Sequence, residues 1–288
     1  MKEITVLSGK GGTGKTSITA ALASLTMDSV FCDNDVEASD LHLILKPEIR
    51  EENIFYGGWT PKINKDLCTQ CGICIDHCRF DAIRSGPEGN LIIDRYGCEG
   101  CRLCDRLCPA GAVLSERNGT SKWFVSETRF GTLIHAKMGA GEENSGKLVT
   151  AVRKKAREIG EKNKAEYVIN DGPPGIGCPT IASLSGADLV LIVIEPTKSG
   201  LHDVRRLTEL IRSFDIPAYA IINKYNINSK VSEEIQNFLK AKAIEVLARI
   251  PFDREMVDAM IAGQTIYEYN PDNIISKKIY KTWQRMRA

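Results

Sequence analysis

The sequence predicts an α/β protein in which a doubly wound, mostly parallel sheet carries a small inserted α+β domain. The first observation is an alternation of short apolar, β-branched segments with helical segments, which is typical of a parallel sheet covered on both faces. The second is a cysteine-rich interval, since eight of the ten cysteines lie between positions 68 and 108. We therefore expect an α/β domain at 1–57 and 115–288 and an inserted domain at 58–114.

The sheet is predicted from segments that are short and rich in valine and isoleucine. The first of them leads into a glycine-rich loop and then a helix at about 15–27, and an amphipathic helix is predicted at 145–163. The predicted strands are ITVLS (4–8), SVFCD (29–33), KWFVSET (122–128), GTLIHAKM (131–138), YVIND (167–171), DLVLIVIE (188–195), AYAIIN (218–223) and AIEVLARI (243–250).

Composition and charge favour a soluble globular protein. Apolar residues make up 43% and charged residues 26% of the chain, and the formal net charge of +1 gives no bias towards nucleic acid or membrane. The longest apolar run, LVLIVI at 189–194, is too short to cross a bilayer. The opening MKEITVLSGK leads straight into a strand, so we expect no signal peptide and a reducing, cytoplasmic location. In a protein that is not exported, dense C-x-x-C spacing favours metal binding over disulfides.

A phosphate-binding loop follows the first predicted strand. The segment GKGGTGKT at 9–16 fits the pattern G-x-x-x-x-G-K-[ST] and precedes a helix. Its glycines let backbone N–H groups turn towards phosphates, Lys15 neutralises the β and γ oxygens, and the Thr16 hydroxyl can bind Mg²⁺. The sequence therefore predicts a site for ATP and Mg²⁺ formed by Gly9, Lys10, Gly11, Gly12, Thr13, Gly14, Lys15, Thr16 and Ser17.

Lys10 adds a feature that the general motif lacks. The run KGGTGKT at 10–16 resembles the deviant Walker A motif of the MinD/ParA and nitrogenase iron protein superfamily. In that family the first lysine reaches across a dimer interface to the partner's nucleotide, where its charge stabilises phosphoryl transfer. The resemblance implies catalytic roles for Lys10 and Lys15 in an ATP-dependent homodimer. A solvated loop lysine is the alternative for Lys10.

The resemblance extends to the two switch segments of the family. The run CDNDVEASD at 32–40 corresponds to switch I. By position, this implies that Asp35 positions the attacking water and Asp40 contacts Mg²⁺, with Asp33 as the alternative for either role. The run VINDGPPGIG at 168–177 corresponds to the Walker B strand and switch II, which implies a water-mediated contact from Asp171 to Mg²⁺.

Two further segments resemble those that contact adenine in proteins of this family. The run INK at 222–224 implies a contact from Asn223 to the base, and IPFD at 250–253 implies that Pro251 flanks it. For Asn223, a polar residue that merely ends a strand is the alternative.

The cysteine-rich interval contains an internal repeat. The run CTQCGICIDHCRFDAI at 68–83 aligns with CEGCRLCDRLCPAGAV at 98–113, and every cysteine matches. The spacing C-x2-C-x2-C-x3-C is that of bacterial ferredoxins, in which three close cysteines bind one 4Fe–4S cluster and the fourth binds the other. Zinc is the alternative, but tetrahedral zinc sites use two cysteine pairs rather than evenly spaced triplets. The predicted ligands are Cys68, Cys71, Cys74 and Cys108 for one cluster, and Cys98, Cys101, Cys104 and Cys78 for the other.

Three features outside these motifs admit more than one interpretation. Cys178 follows Asp171 by seven residues, a distance similar to that of a cluster-binding cysteine in the nitrogenase iron protein, although a small packed residue is favoured. Cys32 ends a buried strand and is predicted to lie in the core. The basic segment 274–288 has an apolar stripe that resembles the membrane-targeting helix of MinD, but a helix packed on the sheet explains the stripe as well and is favoured.

Together these features resemble MinD-superfamily P-loop ATPases with an inserted ferredoxin domain. The resemblance implies an ATPase that couples dimer closure to electron transfer towards an unidentified redox or metalloenzyme partner. Two alternatives stay open: an iron–sulfur or metal-centre assembly factor, and a localisation ATPase with structural or sensing clusters. We expect neither nucleic acid nor membrane as a partner.

Overall fold

The structure, a computed structural model, describes residues 1–26, 28–87, 89–139, 142 and 144–288. The strands, numbered in chain order, are β1 (Lys2–Ser8), β2 (Ser29–Asp33), β3 (Glu48–Phe55), β4 (Gly58–Ile63), β5 (Ile83–Ser85), β6 (Leu91–Ile93), β7 (Val113–Asn118), β8 (Ser121–Thr128), β9 (Gly131–Lys137), β10 (Tyr167–Pro174), β11 (Leu189–Ile194), β12 (Ala218–Asn223) and β13 (Glu245–Ile250).

The helices follow the same numbering. They are α1 (Lys15–Ala23), α2 (Leu41–Leu45), α3 (Ile73–Asp76), α4 (Leu103–Leu107), α5 (Ser145–Asn163), α6 (Cys178–Leu184), α7 (Lys198–Ser213), α8 (Ser229–Ala241), α9 (Arg254–Ala262), α10 (Ile266–Tyr269) and α11 (Ile274–Arg287). A short 3-10 turn covers Tyr225–Ile227.

The chain divides into two compact units. The first, which we call the sheet unit, comprises residues 1–53, 123–137 and 145–288. The second, the cysteine unit, comprises residues 54–122 and 138–144. The interval 58–114, predicted to form an inserted domain, lies within the cysteine unit.

The main sheet has nine strands in the order β13-β12-β11-β1-β10-β2-β9-β8-β3. All six neighbouring pairs from β13 to β9 are parallel. At the other end β8 and β9 are joined by two residues and are neighbours, so they form an antiparallel hairpin. The predicted mostly parallel α/β sheet is therefore confirmed.

Strand β11 explains why the sheet reads as unbroken apolar runs. Leu189, Leu191 and Val193 belong to one hydrophobic cluster, whereas the alternate residues Val190 and Ile192 belong to another. Successive strand side chains point to opposite faces, so both faces of β11 are covered. Burying each such aliphatic side chain contributes about 1.5–3 kcal/mol relative to leaving it exposed.

The C-terminal helix α11 packs on the main sheet within the sheet unit. Its apolar stripe is buried, and the Trp283 ring meets the Tyr167 ring edge-on at a centroid distance of 4.8 Å. Packing on the sheet, the favoured explanation of this stripe, is confirmed. Among the described residues, no helix combines the length and apolar character that crossing a membrane requires.

Most predicted boundaries lie within two residues of the observed ones; the exceptions are α1 and β10, which was predicted to end at position 171 and ends at Pro174. Helix α5 and strands β2 and β12 have the predicted ends, whereas α1 ends at Ala23 rather than near 27. The hydroxyls of Ser24 and Thr26 donate to the carbonyls of Ala21 and Ala23. Serine and threonine compete with the helix in this way, so the helix stops early.

The cysteine unit contains two small antiparallel sheets, β4–β7 and β5–β6, and the short helices α3 and α4. Its buried apolar residues are few, and four of them are equivalent in the sequence repeat: Ala82, Ile83, Ala112 and Val113. Each half of the repeat therefore contributes the same pair of side chains to a common core.

Candidate functional site

A cavity of about 740 Å³ opens at the carboxyl edge of the main sheet. Parallel strands deliver their following loops to this edge, which is where ligands bind in open α/β sheets. Of the residues predicted to bind nucleotide and Mg²⁺, the cavity is lined by Gly11, Gly12, Thr13, Gly14, Lys15, Thr16, Ser17, Asp35, Asp40, Asn223 and Pro251. Gly9, Lys10 and Asp171 are not among its described lining residues.

Asp171 is the centre of a buried polar cluster beneath this cavity. One of its oxygens is 3.0 Å from the Lys15 ammonium and accepts a hydrogen bond of 2.9 Å from the Thr19 hydroxyl. The other accepts a hydrogen bond of 2.7 Å from the Thr16 hydroxyl. Asp171 is only 1% exposed and Lys15 6% exposed, so each charge is neutralised by the other inside the protein. Nothing in the motif predicted the part played by Thr19.

The charge of Lys15 is maintained by several carboxylates. Burial alone would lower the pKa of Lys15, but attraction to Asp171, Asp33 and Asp35 outweighs burial and the pKa is raised. The nearest oxygen of Asp35 is 3.9 Å from the ammonium nitrogen. Lys15 is therefore a fixed positive charge at the floor of the cavity.

The three aspartates of the segment 33–40 occupy different environments. Asp33 is fully buried and accepts hydrogen bonds from the Ser39 hydroxyl and the backbone N–H of Leu41, while burial, followed by repulsion from Asp171, raises its pKa to about 7. Asp35 is half-buried, and burial is the largest cause that raises its pKa to about 6. Asp40 is exposed at the cavity rim, just before α2.

Asn223 joins the end of β12 to the phosphate-binding loop. Its side-chain amide donates to the carbonyl of Thr13 at 2.7 Å, and its carbonyl oxygen accepts from the N–H of Lys224. Gly14 has φ of +89°, and a Cβ there would lie 2.4 Å from the Asn223 amide nitrogen. Only glycine tolerates both the backbone and the close approach. The predicted contact of Asn223 with a base stays a prediction.

Lys10 is paired within its own chain. Its ammonium lies 3.1 Å from Glu195, and Glu195 is also 3.4 Å from the ammonium of Lys224. Neither Glu195 nor Lys224 was predicted as a site residue. The available signal was their position, because each follows directly after a buried parallel strand at the ligand-binding edge.

In the cysteine unit, the predicted cluster ligands line two small cavities. Cys68, Cys71, Cys74 and Cys108 line the first. The second is lined by Cys78, Cys98, Cys101, Cys104 and also Cys74. The last cysteine of each run thus joins the first three of the other run, the crossed grouping that ferredoxin spacing predicts.

The surroundings of these cysteines combine apolar walls with backbone N–H groups. Burial raises the pKa of the thiols of Cys74, Cys98 and Cys104, to about 11 for Cys104. For Cys108, burial also acts upward, but backbone N–H groups of residues 110–113 aim at its sulfur and lower the pKa overall. One of them, from Ala112, lies 3.2 Å from the sulfur.

A close backbone approach fixes the second cysteine loop against β4. Gly100 has φ of +62°, and a Cβ there would lie 2.4 Å from the carbonyl oxygen of Trp59. The guanidinium of Arg102 lies over the Trp59 ring at 4.1 Å from its centroid. Any side chain at position 100 would push the loop away from the strand.

No set of three His, Cys, Asp or Glu side chains in the described part of the chain is arranged to hold a single metal ion. The predicted 4Fe–4S clusters and the Mg²⁺ ligands therefore stay predictions.

The two cysteines outside the cysteine unit differ in exposure. Cys32 is buried, as predicted for a core residue. Cys178 is exposed at the first position of α6, where a Cβ on Gly146 would lie 3.2 Å from its Cβ. Its predicted alternatives, a shared cluster ligand or a small residue packed at the switch, stay open.

Comparison with known proteins places the chain among nucleotide-binding domains. The family model CbiA, described as the CobQ/CobB/MinD/ParA nucleotide binding domain, matches residues 4–266. An uncharacterized protein of Methanocaldococcus jannaschii is 31% identical over 290 residues, which cover 99% of this chain and 96% of that protein.

Two other similarities are more distant. The cytosolic Fe-S cluster assembly factor NUBP1 homolog of Caenorhabditis elegans is 21% identical over 303 residues, covering 99% of this chain and 80% of that protein. The structure of the septum site-determining protein MinD of Pyrococcus horikoshii, complexed with Mg-ADP, superposes with a TM-score of 0.59. At 16% identity, with 99% of this chain and 95% of that one covered, this likeness shows a shared fold.

Proposed function

The chain belongs to the CobQ/CobB/MinD/ParA nucleotide-binding family, and from that premise we propose that it is an ATP-hydrolysing iron–sulfur protein that couples nucleotide-driven closure of a homodimer to electron transfer towards a partner enzyme. The observation that carries the proposal is the presence of two kinds of site in one chain. The sheet unit has a phosphate loop around a buried lysine–aspartate pair, and the cysteine unit has two sets of four cysteines in crossed order.

The nucleotide site has the groups that phosphoryl transfer to water requires. Mg²⁺, when bound, neutralises charge on the phosphate oxygens. The Thr16 hydroxyl, Asp171 and the rim residue Asp40 would hold that ion, while the Lys15 ammonium would turn from Asp171 to the phosphates. Asp35 would orient the attacking water, and its raised pKa makes it a better proton acceptor than an ordinary aspartate.

The deviant Walker A motif supports the dimer. Lys10 does not line the cavity of its own chain within the described residues, and its ammonium is paired with Glu195, so a role at the nucleotide of a second copy requires this pair to open. In the family that the motif resembles, this lysine acts across the dimer interface. We extend that role to Lys10, and ATP would then be enclosed between two copies of the chain.

The cysteine unit has a donor set that suits two 4Fe–4S clusters, and we propose that it is an inserted ferredoxin-like domain. Four thiols border the first cavity and five the second, and the remaining walls are largely apolar, with side chains such as Ile73 and Leu91 around the first. Backbone N–H groups that aim at Cys108 stabilise its thiolate, the form that ligates iron. When bound, such clusters take up and release single electrons.

The test is an anaerobic redox titration followed by EPR on the holoprotein without nucleotide, with MgADP and with a non-hydrolysable ATP analogue. If the two sites are coupled, the ATP analogue shifts a cluster potential by about 30–60 mV, where 59 mV is a tenfold change for one electron. The variant Lys15→Ala is the control, since it should keep both clusters and lose the shift. Intact clusters with an unmoved potential in the wild type would overturn the coupling.

A second candidate function is iron–sulfur cluster assembly. It is favoured by the similarity to the Fe-S cluster assembly factor NUBP1 homolog, which extends over 99% of this chain. Incubating the holoprotein with an apo-ferredoxin and a mild chelator separates the two candidates. Rapid, ATP-dependent cluster transfer to the apo-ferredoxin supports assembly, whereas retention of both clusters through many rounds of hydrolysis supports electron transfer.

A further inference from the structure

Three neighbouring strands bring two lysines and one glutamate together at the carboxyl edge of the main sheet. Strands β1, β11 and β12 lie side by side, and they are followed by Lys10, Glu195 and Lys224 respectively. One oxygen of Glu195 lies 3.1 Å from the Lys10 ammonium, and the other lies 3.4 Å from the Lys224 ammonium. One carboxylate is therefore shared by two ammonium groups.

Of the two lysines, Lys224 is the more firmly fixed. Its ammonium also donates to the carbonyl of Gly12 at 3.0 Å, and its backbone adopts a left-handed φ of +54°, which is uncommon for a residue with a side chain. Lys224 thus connects Glu195 to the phosphate-binding loop. Lys10, by contrast, has Glu195 as its only described side-chain partner.

The pairing is partly shielded from water. The side chain of Glu195 is 16% exposed and that of Lys10 28% exposed, so water screens the attraction only in part. Burial raises the pKa of Glu195, but the two lysines outweigh it and hold the pKa below its usual value. Glu195 is therefore a carboxylate at neutral pH, where both ammonium groups are charged as well.

We propose that Glu195 is a positioning residue that holds the Lys10 ammonium against its own chain in the absence of nucleotide, and that this contact must break before Lys10 can act on a second copy. We call the contact the Lys10 restraint. Its second part rests on the proposed function, because only there does Lys10 act across a dimer. The restraint opposes closure, so removing Glu195 should favour the nucleotide-bound dimer rather than weaken it.

The contact is tested first without nucleotide, by measuring how fast each lysine of the intact protein reacts with an amine reagent, using mass spectrometry. In the variant Glu195→Gln we expect Lys10 to react about fivefold faster. A salt bridge of moderate strength slows the reaction of its ammonium group by about this factor. Lys224 should change less, because it keeps its bond to Gly12. The matched control is Glu245→Gln, which removes the exposed ion pair with Arg285 far along the chain. An unchanged Lys10 rate in Glu195→Gln overturns the restraint.

The consequence for closure is tested by sedimentation with the non-hydrolysable ATP analogue. Glu195→Gln should dimerise at about fivefold lower protein concentration than the wild type, and the double variant Lys10→Ala/Glu195→Gln should dimerise no better than Lys10→Ala alone. A gain that persists without Lys10 would assign Glu195 a merely structural role and overturn the proposal. If the wild type does not dimerise at all, the proposed function fails, and the labelling rates still decide whether the restraint exists.

Discussion

The sheet unit and the cysteine unit hold their functional groups in different ways. In the sheet unit, Lys15, Asp171 and Thr19 are buried and satisfy one another through ion pairs and hydrogen bonds. In the cysteine unit, the eight cysteines are half-buried or exposed, and the helices α3 and α4 bury no side chain. The functional side chains of the first site are held by buried contacts within the protein, whereas the cysteines of the second site are supported by few buried side chains.

This difference follows from the size of the two cores. The sheet unit buries aliphatic side chains on both faces of a nine-stranded sheet. The cysteine unit has a small core formed by residues such as Ile83, Leu91 and Val113. Small domains rarely gain enough from burial alone to offset the conformational entropy of folding, and metal sites often supply the difference. We therefore expect the stability of the cysteine unit to depend on what its cysteines bind.

The largest expected effect is that of removing one predicted cluster ligand. In Cys101→Ser, iron and acid-labile sulfide should fall by about half, because one of the two proposed clusters would lose a thiolate. Backbone amides of residues 54–122 should then exchange hydrogen at least about tenfold faster, while those of β1, β10 and β11 keep their protection. Iron analysis and hydrogen exchange by mass spectrometry on anaerobically purified protein check both outcomes.

The control for this variant is Cys178→Ser. Cys178 and Cys101 are both exposed, but Cys178 lies in the sheet unit and outside both cysteine sets. Its loss should leave the iron content unchanged. Equal iron contents in wild type and Cys101→Ser would contradict the cluster assignment, and iron lost from Cys178→Ser would point to a cluster shared between subunits.

The next effect concerns the sheet unit alone. Replacing Lys15 by alanine removes the charge at the floor of the cavity, so kcat for ATP hydrolysis should fall by about a hundredfold or more. Because the two sites lie in separate units, iron content should not change. Lys154→Ala, an exposed lysine of α5, serves as the matched control and should keep full activity. Full ATPase activity in Lys15→Ala would contradict the nucleotide site.

The sequence predicted the parts of each unit that depend on local patterns. Strand β12 and helix α5 have the predicted ends, because a short apolar run and a helical hydrophobic period are both local features of the sequence. The crossed cysteine grouping was likewise predictable from spacing. By contrast, Glu195 meets Lys10 only because β11 lies beside β1, although the two residues are far apart in the chain. The contact of Thr19 with Asp171 and the complete burial of Asp33 depend on long-range packing in the same way.

The exposed edge strand β3 could not be predicted from its side-chain pattern. It was not predicted as a strand, because EIREENIF mixes charges with exposed isoleucines such as Ile49 and Ile54 instead of alternating cleanly. A strand at the edge of a sheet has no neighbour on one side, so burial imposes a weaker pattern on its side chains. What fixes β3 is its pairing in the sheet, which the sequence does not reveal.

The smallest of these effects is a pH dependence of stability that arises from a buried histidine of the sheet unit. The sheet unit buries His135 between the rings of His42 and Phe124, whereas every described Asp, Glu, Lys, Arg and His of the cysteine unit is at least partly exposed. Burial, with a smaller contribution from His42, lowers the pKa of His135 from 6.5 to about 4. Below pH 6.5 the unfolded chain therefore binds a proton at His135 that the folded chain does not, and the contribution of His135 to the free energy of unfolding decreases as the pH falls towards 4.

Between pH 7 and pH 5 this difference should cost the wild type about 1–2 kcal/mol that His135→Gln does not lose. Urea unfolding followed by circular dichroism at a series of pH values gives the slope for each protein. Lost stacking in the variant shifts its curve by a constant, so the slope isolates the titration. The exposed His202→Gln should follow the wild type. Parallel slopes for wild type and His135→Gln would mean that His135 stays accessible to protons, and the contrast between a sealed sheet unit and an open cysteine unit would not hold.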